Sequence, residues 1–498
     1  MKNRVAGVGL AEAVGICRGI ANSRSHKEAT THGREVTRRT LLLLAAALLV
    51  MPYHSGCATT GSVNLLGAAP ARAKNIILLI GDGMGPSQFG VAWLYSNRVL
   101  NKDLRMTEVM QAGRTAYLAN DTADATVTES AAAATQIACG VKVPARAPGM
   151  GADGKTPCWT ILEIAKERGM ATGLVTTSGI TDATPASFSA HVSDRSDEAS
   201  VAAQELAVGV DILMGGRKNF FLPQAAEGSR KDGRNLLKEA QKAGYTVVGT
   251  AEELQKAPAG KILGLFNMGN MAFEIDRAST KEPSLAAMTT KTLDVLSRNP
   301  KGFFAMIEGG RIDHASHRND AAGTIQDMLA FDQAVGVALD FAKQHPDTLL
   351  LVTADHETGA MSLIGPSKTS KEYTGIDLEA VRKVKASHEL IAAKLGKSPT
   401  PQKVKAVVKE YMDIEITDDE AKMVASDTIR GLDPTDHNYA YPPSLGFVLR
   451  SYLGVGWGSQ THTASPVMAF GLGPGSEKIA GFRHNTELFS IMKTALGN

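Results

Sequence analysis

Acidic and histidine side chains follow or precede several short apolar runs of this 498-residue chain, and they are of the types that bind metal ions. Any one of them alone would more often be an exposed or helix-capping group. Brought together from separate strands, they would repel one another or lose hydration unless cations balanced them, and mixed Asp/His ligation suits Zn²⁺. The set therefore predicts a metal centre. Its members are Asp82, Glu308, Asp313, His314, His317, Asp355, His356 and His462.

A second candidate is Ser130, in the segment VTESAAAATQIACGVK. It stands before a run of small residues with high helix propensity, so it could simply cap that helix. Capping and catalysis are compatible, because a helix N-terminus also favours a bound phosphate. A serine hydroxyl is a weak nucleophile near neutral pH, but coordination to a metal stabilises its alkoxide without a separate base. Ser130 is thus a candidate nucleophile that needs no Ser-His-Asp triad.

These side chains lie at the ends of apolar runs that read as buried strands. The runs are residues 75–80, 172–177, 303–307, 348–353 and 466–470. Helical patterns at 161–168, 284–298 and 323–343 lie between them. Alternation of strands and helices predicts an α/β fold with a large mixed, mostly parallel sheet sandwiched between helices. Ligands bind beyond the carboxyl ends of the strands in such sheets, where most of the candidate ligands fall.

Residues of about 376–428 differ in character from the rest of the chain. Lys and Glu recur there at helical spacing with few strand signals, which predicts a helical insertion. The whole chain is 43% hydrophobic and can bury a large core. Its 53 basic and 51 acidic residues leave a formal charge of +2, so we expect no nucleic-acid specificity.

The N-terminal stretch has the features of an export signal. The pair Arg38 and Arg39 precedes an apolar run over 41–51, which is shorter than the span of about 20 residues that a bilayer requires. A buried core helix fits poorly, because basic residues precede the run and Pro52 ends it. The pattern resembles a twin-arginine export signal. We therefore expect the protein to be exported to the periplasm or cell envelope.

The end of this signal has two readings. Ser55, Gly56 and Cys57 resemble the end of a bacterial lipoprotein signal, which would make Cys57 a lipidated membrane tether. Cleavage after Ala73 is the alternative. The first reading divides the chain into an export signal (1–57), a flexible tether (58–72) and a catalytic domain (73–498). In an exported protein Cys139 and Cys158 could pair, although their spacing does not show that the side chains meet.

Six segments, in this order, resemble the motifs of the alkaline phosphatase family. They are GDGMG, TESAAAAT, TDATPASFSAHVSDR, EGGRIDHASH, TADHE and THT. Together they cover the chain from about residue 75 to its C-terminus. The resemblance implies hydrolysis of small phosphate monoesters, a mixed sheet between helices, a homodimer, and a site with two zinc ions and one magnesium ion.

The resemblance also implies a role for each matching residue. A first zinc would be held by Asp313, His317 and His462, and a second zinc, which binds the Ser130 oxygen, by Asp82, Asp355 and His356. Magnesium would be held by the other Asp82 oxygen with Thr184, Glu308 and Asp182, directly or through water. Arg195, which alone would read as a surface charge, would grip two phosphate oxygens.

Three positions depart from the usual pattern of the family. Glu129 stands where close relatives usually carry Asp, and that carboxylate helps to orient the arginine. Asp182 stands where many relatives have His, so we expect an all-oxygen site that favours Mg²⁺. His314 stands where some relatives have Lys, which places it with the substrate phosphate; the alternative is that it only packs beside the zinc ligands.

Two other functions remain open at this point. A related hydrolase of phosphodiesters or sulfate esters is disfavoured, because the chain has no Cys-x-Pro-x-Arg sulfatase motif and retains Thr184, Glu308 and Arg195. A catalytically silent, zinc-binding surface lipoprotein would be expected to have lost Ser130 or Arg195. Both residues are present.

Overall fold

The computed structural model describes residues 72–364, 375–427 and 443–497. The predicted export signal (1–57), with Cys57, and the tether up to residue 71 lie outside the described residues, as does Thr428 at the end of the predicted insertion. Among the residues described, no helix is both long and apolar enough to cross a membrane.

The strands that the structure describes are β1 (Asn75–Gly81), β2 (Arg114–Ala119), β3 (Ala171–Gly179), β4 (Ile212–Gly216), β5 (Thr246–Val248), β6 (Ile262–Leu265), β7 (Phe303–Gly309), β8 (Thr348–Thr353), β9 (Glu357–Thr358), β10 (Met361–Leu363), β11 (Val455–Trp457), β12 (His462–Thr463), β13 (Val467–Leu472) and β14 (Gly481–His484). Ten of them form one central sheet in the order β14-β2-β13-β8-β1-β7-β3-β4-β6-β5. β13 runs antiparallel to its neighbours β8 and β2, and the other described pairs of this sheet are parallel. The predicted mixed, mostly parallel α/β fold is confirmed.

Helices pack around this sheet, and the longest of those described, Ala321–Gln344, contacts β1, β7, β8 and two other helices, Leu285–Leu296 and Arg311–His317. The helices that the structure describes are α1 (Pro86–Arg98), α2 (Arg105–Ala112), α3 (Ser130–Cys139), α4 (Ile161–Glu167), α5 (Ala183–Ser189), α6 (Glu198–Val208), α7 (Leu236–Lys242), α8 (Ala251–Lys256), α9 (Glu274–Arg277), α10 (Leu285–Leu296), α11 (Arg311–His317), α12 (Ala321–Gln344), α13 (Leu378–Lys383), α14 (His388–Leu395), α15 (Pro401–Met412), α16 (Asp418–Asp427), α17 (Pro443–Leu453) and α18 (Glu487–Ala495).

The strands at the centre of the sheet place the polar side chains at one edge. β1, β7 and β8 are buried along their whole length, as expected of near-continuous apolar runs covered on both faces. Ile80 of β1 pairs in register with Glu308 of β7 and with Thr353 of β8. Because the three strands are parallel, the residues that follow them emerge together at the carboxyl edge.

Residues 375–427 form the four helices α13 to α16, here called the insertion helices. The start of α14 docks on the rest of the chain through buried Ser387 and His388. Ser387 Oγ donates to Asp276 Oδ2 at 2.5 Å, and the His388 N–H donates to Asp320 Oδ2 at 2.7 Å. Side chains at the start of α14 therefore have fixed positions relative to α11 and α12.

Cys139 and Cys158 form a disulfide with a Cα–Cα distance of 6.1 Å. Cys139 ends α3, and the closed loop contains Arg146, whose N–H donates to Glu129 at the other end of that helix. In the chain-entropy model a loop of this length contributes about 3 kcal/mol. We expect the double variant Cys139→Ser/Cys158→Ser to lose about that much unfolding free energy in urea titrations. Reduced wild-type protein is the control; equal stability of the variant and the oxidised protein would contradict the expectation.

Candidate active site and metal centre

Asp313, His317 and His462 form one group of potential metal ligands, here called group 1, whose donor atoms lie within 4.8 Å of one another. His317 Nε2 is 3.2 Å from Asp313 Oδ2 and 3.0 Å from His462 Nε2. His317 Nδ1 faces the Gln460 carbonyl at 2.5 Å, and His462 Nδ1 faces the Thr128 carbonyl at 3.0 Å. A carbonyl can only accept, so both Nδ1 atoms are donors and both Nε2 lone pairs point inward, as in histidines that bind a metal through Nε2.

Asp82, Asp355 and His356 form a second group of potential metal ligands, here called group 2, whose donor atoms also lie within 4.8 Å of one another. His356 Nε2 lies 3.1 Å from Asp355 Oδ2 and 3.6 Å from Asp82 Oδ1. Asp82 Oδ1 and Asp355 Oδ2 are buried without a hydrogen-bond partner among the described residues. The His356 ring stacks on the His462 ring with centroids 3.6 Å apart, so the two groups adjoin.

The residues predicted to hold a third ion are also at this edge. Glu308 is the penultimate residue of β7, and its Oε2 atom is buried without a hydrogen-bond partner among the residues described. Asp182 precedes α5 and Thr184 lies within it, both buried. Asp182 Oδ1 accepts from Arg195 Nη2 at 2.9 Å, and Asp182 Oδ2 is 3.4 Å from Arg217 Nη2. The Asp182 carboxylate is therefore compensated by two arginines.

The carboxylates of this edge cannot all be charged in the metal-free protein. Burial, and then the charges of neighbouring acids, raise the pKa of Asp82 well above its usual range. Burial raises the pKa of Asp355 to about 7 and that of Glu308 to about 8. Bound cations would supply the missing compensation and displace these protons. The unpartnered oxygens and the mixed carboxylate and imidazole donors thus fit metal ions.

Ser130 is the first residue of α3, and its buried hydroxyl lies 3.2 Å from His356 Nε2. The alternative interpretation, in which Ser130 only caps the helix, is wrong. The cap is Glu129, whose carboxylate accepts from the N–H groups of Ala131 at 3.0 Å and Ala132 at 2.7 Å. A longer carboxylate side chain can reach back over the first turn, so the Ser130 hydroxyl is not used in capping and faces group 2.

Arg195 is held between two carboxylates. Its Nη1 donates to Glu129 Oε2 at 2.8 Å, and its Nη2 donates to Asp182 Oδ1. Burial opposes ionisation of Glu129, but Arg195 and three backbone N–H groups hold its pKa below the ordinary value. The Arg195 N–H also donates to the Arg146 carbonyl at 2.8 Å. The guanidinium is thereby fixed at the start of α3.

We expect Glu129→Asp to change the inhibition constant of inorganic phosphate by about threefold to tenfold, because a side chain one methylene shorter moves the carboxylate that contacts both the first turn of α3 and Arg195. Inhibition constants for phosphate measure the effect. Glu163→Asp is the matched control, because Glu163 also binds a backbone N–H at a helix start, that of α4. Equal inhibition constants for wild type and Glu129→Asp would show that Arg195 does not depend on this contact.

His314, a predicted substrate-binding residue, lies buried on α11 next to Asp313. Arg311 Nη1 donates to His314 Nδ1 at 2.9 Å. Burial, and then the Arg311 charge, hold the pKa of His314 well below its usual range. His314 is therefore a neutral imidazole in the metal-free protein.

A cleft of about 560 Å³ opens onto group 1 and Arg195. It gives solvent and small molecules access to the site. Its lining residues are Val127, Thr128, Arg146, Arg195, Ser196, His317, Gln460, Thr461 and His462.

Sequence reasoning missed several residues that orient the ligands. Thr358 Oγ1 donates to Asp313 Oδ1 at 2.5 Å, and Thr358 stands only two residues beyond His356 in the chain. Gly83 has a φ of +71°, and a Cβ there would lie 2.8 Å from the Asp313 Cα, so this glycine permits the close approach of β1 and α11. The carbonyls of Gln460 and Thr128 have no side-chain signature, so no sequence signal could have found them.

A buried hydroxyl lies 3.2 Å from a residue of group 2, which adjoins group 1, and the Arg195 guanidinium is held at the start of the same helix. This arrangement is typical of a metal-dependent phosphoryl-transfer hydrolase. The chain belongs to the alkaline phosphatase family, because the family model described as Alkaline phosphatase matches residues 73–498. It is a metal-binding enzyme of that family. Membership supports hydrolysis of phosphate monoesters.

Individual relatives agree with this assignment. Alkaline phosphatase 4 of Bacillus subtilis is 35% identical over 436 residues, which cover 85% of this chain and 90% of the relative. The crystal structure of Thermus thermophilus alkaline phosphatase matches with a TM-score of 0.78 and 32% identity, over 90% of this chain and 96% of that one. A His-to-Asp mutant of TAB5 alkaline phosphatase, described with Mg bound in its M3 site, matches with a TM-score of 0.62 and 26% identity, over 86% and 98% of the two chains.

Proposed function

We propose that the enzyme hydrolyses phosphate monoesters through a phosphoserine intermediate at Ser130. The observation that supports this most directly is the position of the Ser130 hydroxyl, which is buried at the start of α3 and 3.2 Å from His356 Nε2. Helix α3 favours a phosphate there, because its N-terminus presents a partial positive charge.

Two zinc ions fit groups 1 and 2, since each group offers carboxylate oxygen and imidazole nitrogen. Group 1 would hold one ion through Asp313, His317 and His462, and group 2 the other through Asp82, Asp355 and His356. When bound, such ions stabilise negative charge on the attacking and leaving oxygens of an in-line displacement.

The side chains of the enzyme make and break the phosphate ester in two displacements. The Ser130 oxygen gives up its proton and attacks phosphorus, the serine O–P bond forms as the ester P–O bond breaks, and the leaving oxygen takes up an equivalent proton to become the alcohol. Water then attacks the phosphoserine, the serine O–P bond breaks, the Ser130 oxygen takes up a proton that the water releases, and inorganic phosphate leaves. Arg195 holds two phosphate oxygens through both steps, because Glu129 and Asp182 already fix the orientation of its guanidinium group.

A magnesium ion fits the third site, which offers Asp82, Asp182, Thr184 and Glu308 and thus only oxygen. The TAB5 mutant supports this choice, because its description pairs a His-to-Asp replacement with bound Mg. Asp182 stands at a position where many members of the family have His. Magnesium should therefore stimulate the zinc-loaded enzyme, and protein that binds three zincs without a magnesium response would refute this assignment.

Substrate comparison tests the reaction itself. Purified enzyme with zinc and magnesium should turn over a phosphate monoester faster than a phosphodiester or a sulfate ester, because the Arg195 fork and the third site match a dianionic phosphate. Preference for the diester would favour the related phosphodiesterases. Bound zinc without turnover of any ester would favour a catalytically silent surface protein.

Export and assembly complete the proposal. The Cys139–Cys158 disulfide supports an oxidising compartment such as the periplasm or cell envelope. Lipidation of Cys57 would tether the enzyme to a membrane, and the family resemblance supports a homodimer. Fractionation of wild type and Cys57→Ser tests the tether, and a soluble wild-type protein would refute it. Light scattering of the purified enzyme tests the dimer, and a monomer would refute it.

A further inference from the structure

We propose that Glu389, a residue of the insertion helices, positions His314 for phosphate binding through Arg311. This inference rests on the proposed phosphomonoesterase function and on the predicted role of His314 in binding the substrate phosphate. It gives the insertion helices a part in the reaction, because one of their side chains would orient a substrate-binding residue.

Arg311 is held in one orientation by three neighbours. Its side chain is buried, and its guanidinium lies over the Phe273 ring at 3.6 Å from the centroid. Its Nη1 donates to His314 Nδ1 and its Nη2 donates to Glu389 Oε2, each at 2.9 Å. The ring below fixes the plane of the guanidinium, and the two hydrogen bonds fix its rotation within that plane.

Glu389 is in turn fixed by the docking of α14. The preceding residues Ser387 and His388 are buried against Asp276 and Asp320, so the first turn of α14 has one position over the C-terminal end of α11. Glu389 Oε2 also lies 3.0 Å from Arg318 Nη2.

Arg318 also contacts His314, through the backbone carbonyl of that histidine. Its Nη1 donates to the His314 carbonyl at 2.9 Å. The carboxylate of Glu389 therefore joins the two arginines that contact His314.

The contact with Arg311 determines which nitrogen of His314 can donate. A guanidinium has donors and no acceptor, so His314 Nδ1 must accept and the proton of the ring must be on Nε2. An Nε2–H group is a donor that suits a phosphate oxygen. Without Arg311 in place the imidazole could rotate or take the other tautomer, and Nε2 would no longer be fixed as the donor.

The test is a double-mutant cycle with Glu389→Gln and His314→Ala. The inhibition constant of inorganic phosphate, kcat, KM and the metal content are measured for the wild type, both single variants and the double variant. We expect Glu389→Gln to raise the inhibition constant by about threefold to tenfold at unchanged metal content, and to have no further effect when His314 is alanine. Glu389→Asp should recover part of the affinity because it retains the charge. Glu379→Gln is the matched control, since Glu379 makes an exposed ion pair with Arg382 on α13 of the same insertion.

The possible outcomes are distinct. The proposal is overturned if Glu389→Gln changes the inhibition constant of phosphate equally in the wild type and in His314→Ala. It is also overturned if Glu389→Gln has no effect on this constant although His314→Ala weakens phosphate binding. If His314→Ala leaves the inhibition by phosphate unchanged, His314 does not bind the substrate phosphate and the proposal is also overturned. Failure of the proposed function would appear elsewhere, as wild-type enzyme without phosphomonoesterase activity.

Discussion

Ser130→Ala is expected to lower kcat at least about a thousandfold and to abolish the phosphoenzyme. The buried Ser130 hydroxyl, 3.2 Å from His356 Nε2, is the covalent acceptor proposed for the phosphoryl group. Alanine leaves the cap of α3 intact, because Glu129 provides it. Loss of activity would therefore reflect loss of the nucleophile and not unfolding of the helix.

Acid quenching after mixing with labelled phosphate measures the phosphoenzyme. Ser187→Ala is the matched control, because Ser187 is also buried and contacts α3 through the Ala131 carbonyl at 3.1 Å. The control should retain normal labelling. Label on Ser130→Ala at the wild-type level would place the nucleophile on another residue.

Asp355→Asn is expected to remove one zinc equivalent and to reduce activity by at least about a hundredfold. Asp355 is fully buried, and asparagine preserves its size while removing the charge that would hold the cation. A metal that binds only the native state stabilises it, by about 2.7 kcal/mol at a hundredfold excess over Kd. The variant should therefore gain less thermal stability from added zinc than the wild type.

Metal analysis after dialysis and melting curves with and without zinc measure this effect independently of activity. Asp332→Asn is the matched control, because Asp332 is buried and accepts from the N–H groups of Arg105 and Met106 on α2. Its zinc content should match the wild type. Full zinc content in Asp355→Asn would remove Asp355 from group 2.

Local patterns were sufficient to predict the strands that position the site. The predicted run 348–353 coincides with β8, and the predicted run 75–80 lies within β1, since a strand covered on both faces must be apolar along its length. The residues of groups 1 and 2 were named for the same reason. They follow or precede such strands, and parallel strands end at one edge.

Interactions between distant segments could not be predicted in this way. The sequence offered Ser130 as a possible cap of α3, but Glu129 forms the cap, because Arg195 and the Arg146 N–H hold the Glu129 carboxylate over the first turn. Thr358, which fixes Asp313, had no signal beyond its nearness to His356 in the chain. Such contacts depend on where two loops meet in space.

By itself, the sequence determined the class of fold, the family and the side chains from which a metal centre can be built, because these depend on apolar periodicity and on motifs that are local in the chain. Only the tertiary structure decided how those side chains are oriented. The Nε2 atoms of His317 and His462 point inward because carbonyls of distant residues accept from their Nδ1 atoms. Likewise, Glu389 reaches Arg311 across 78 positions of sequence, since docking of α14 brings the two charges together.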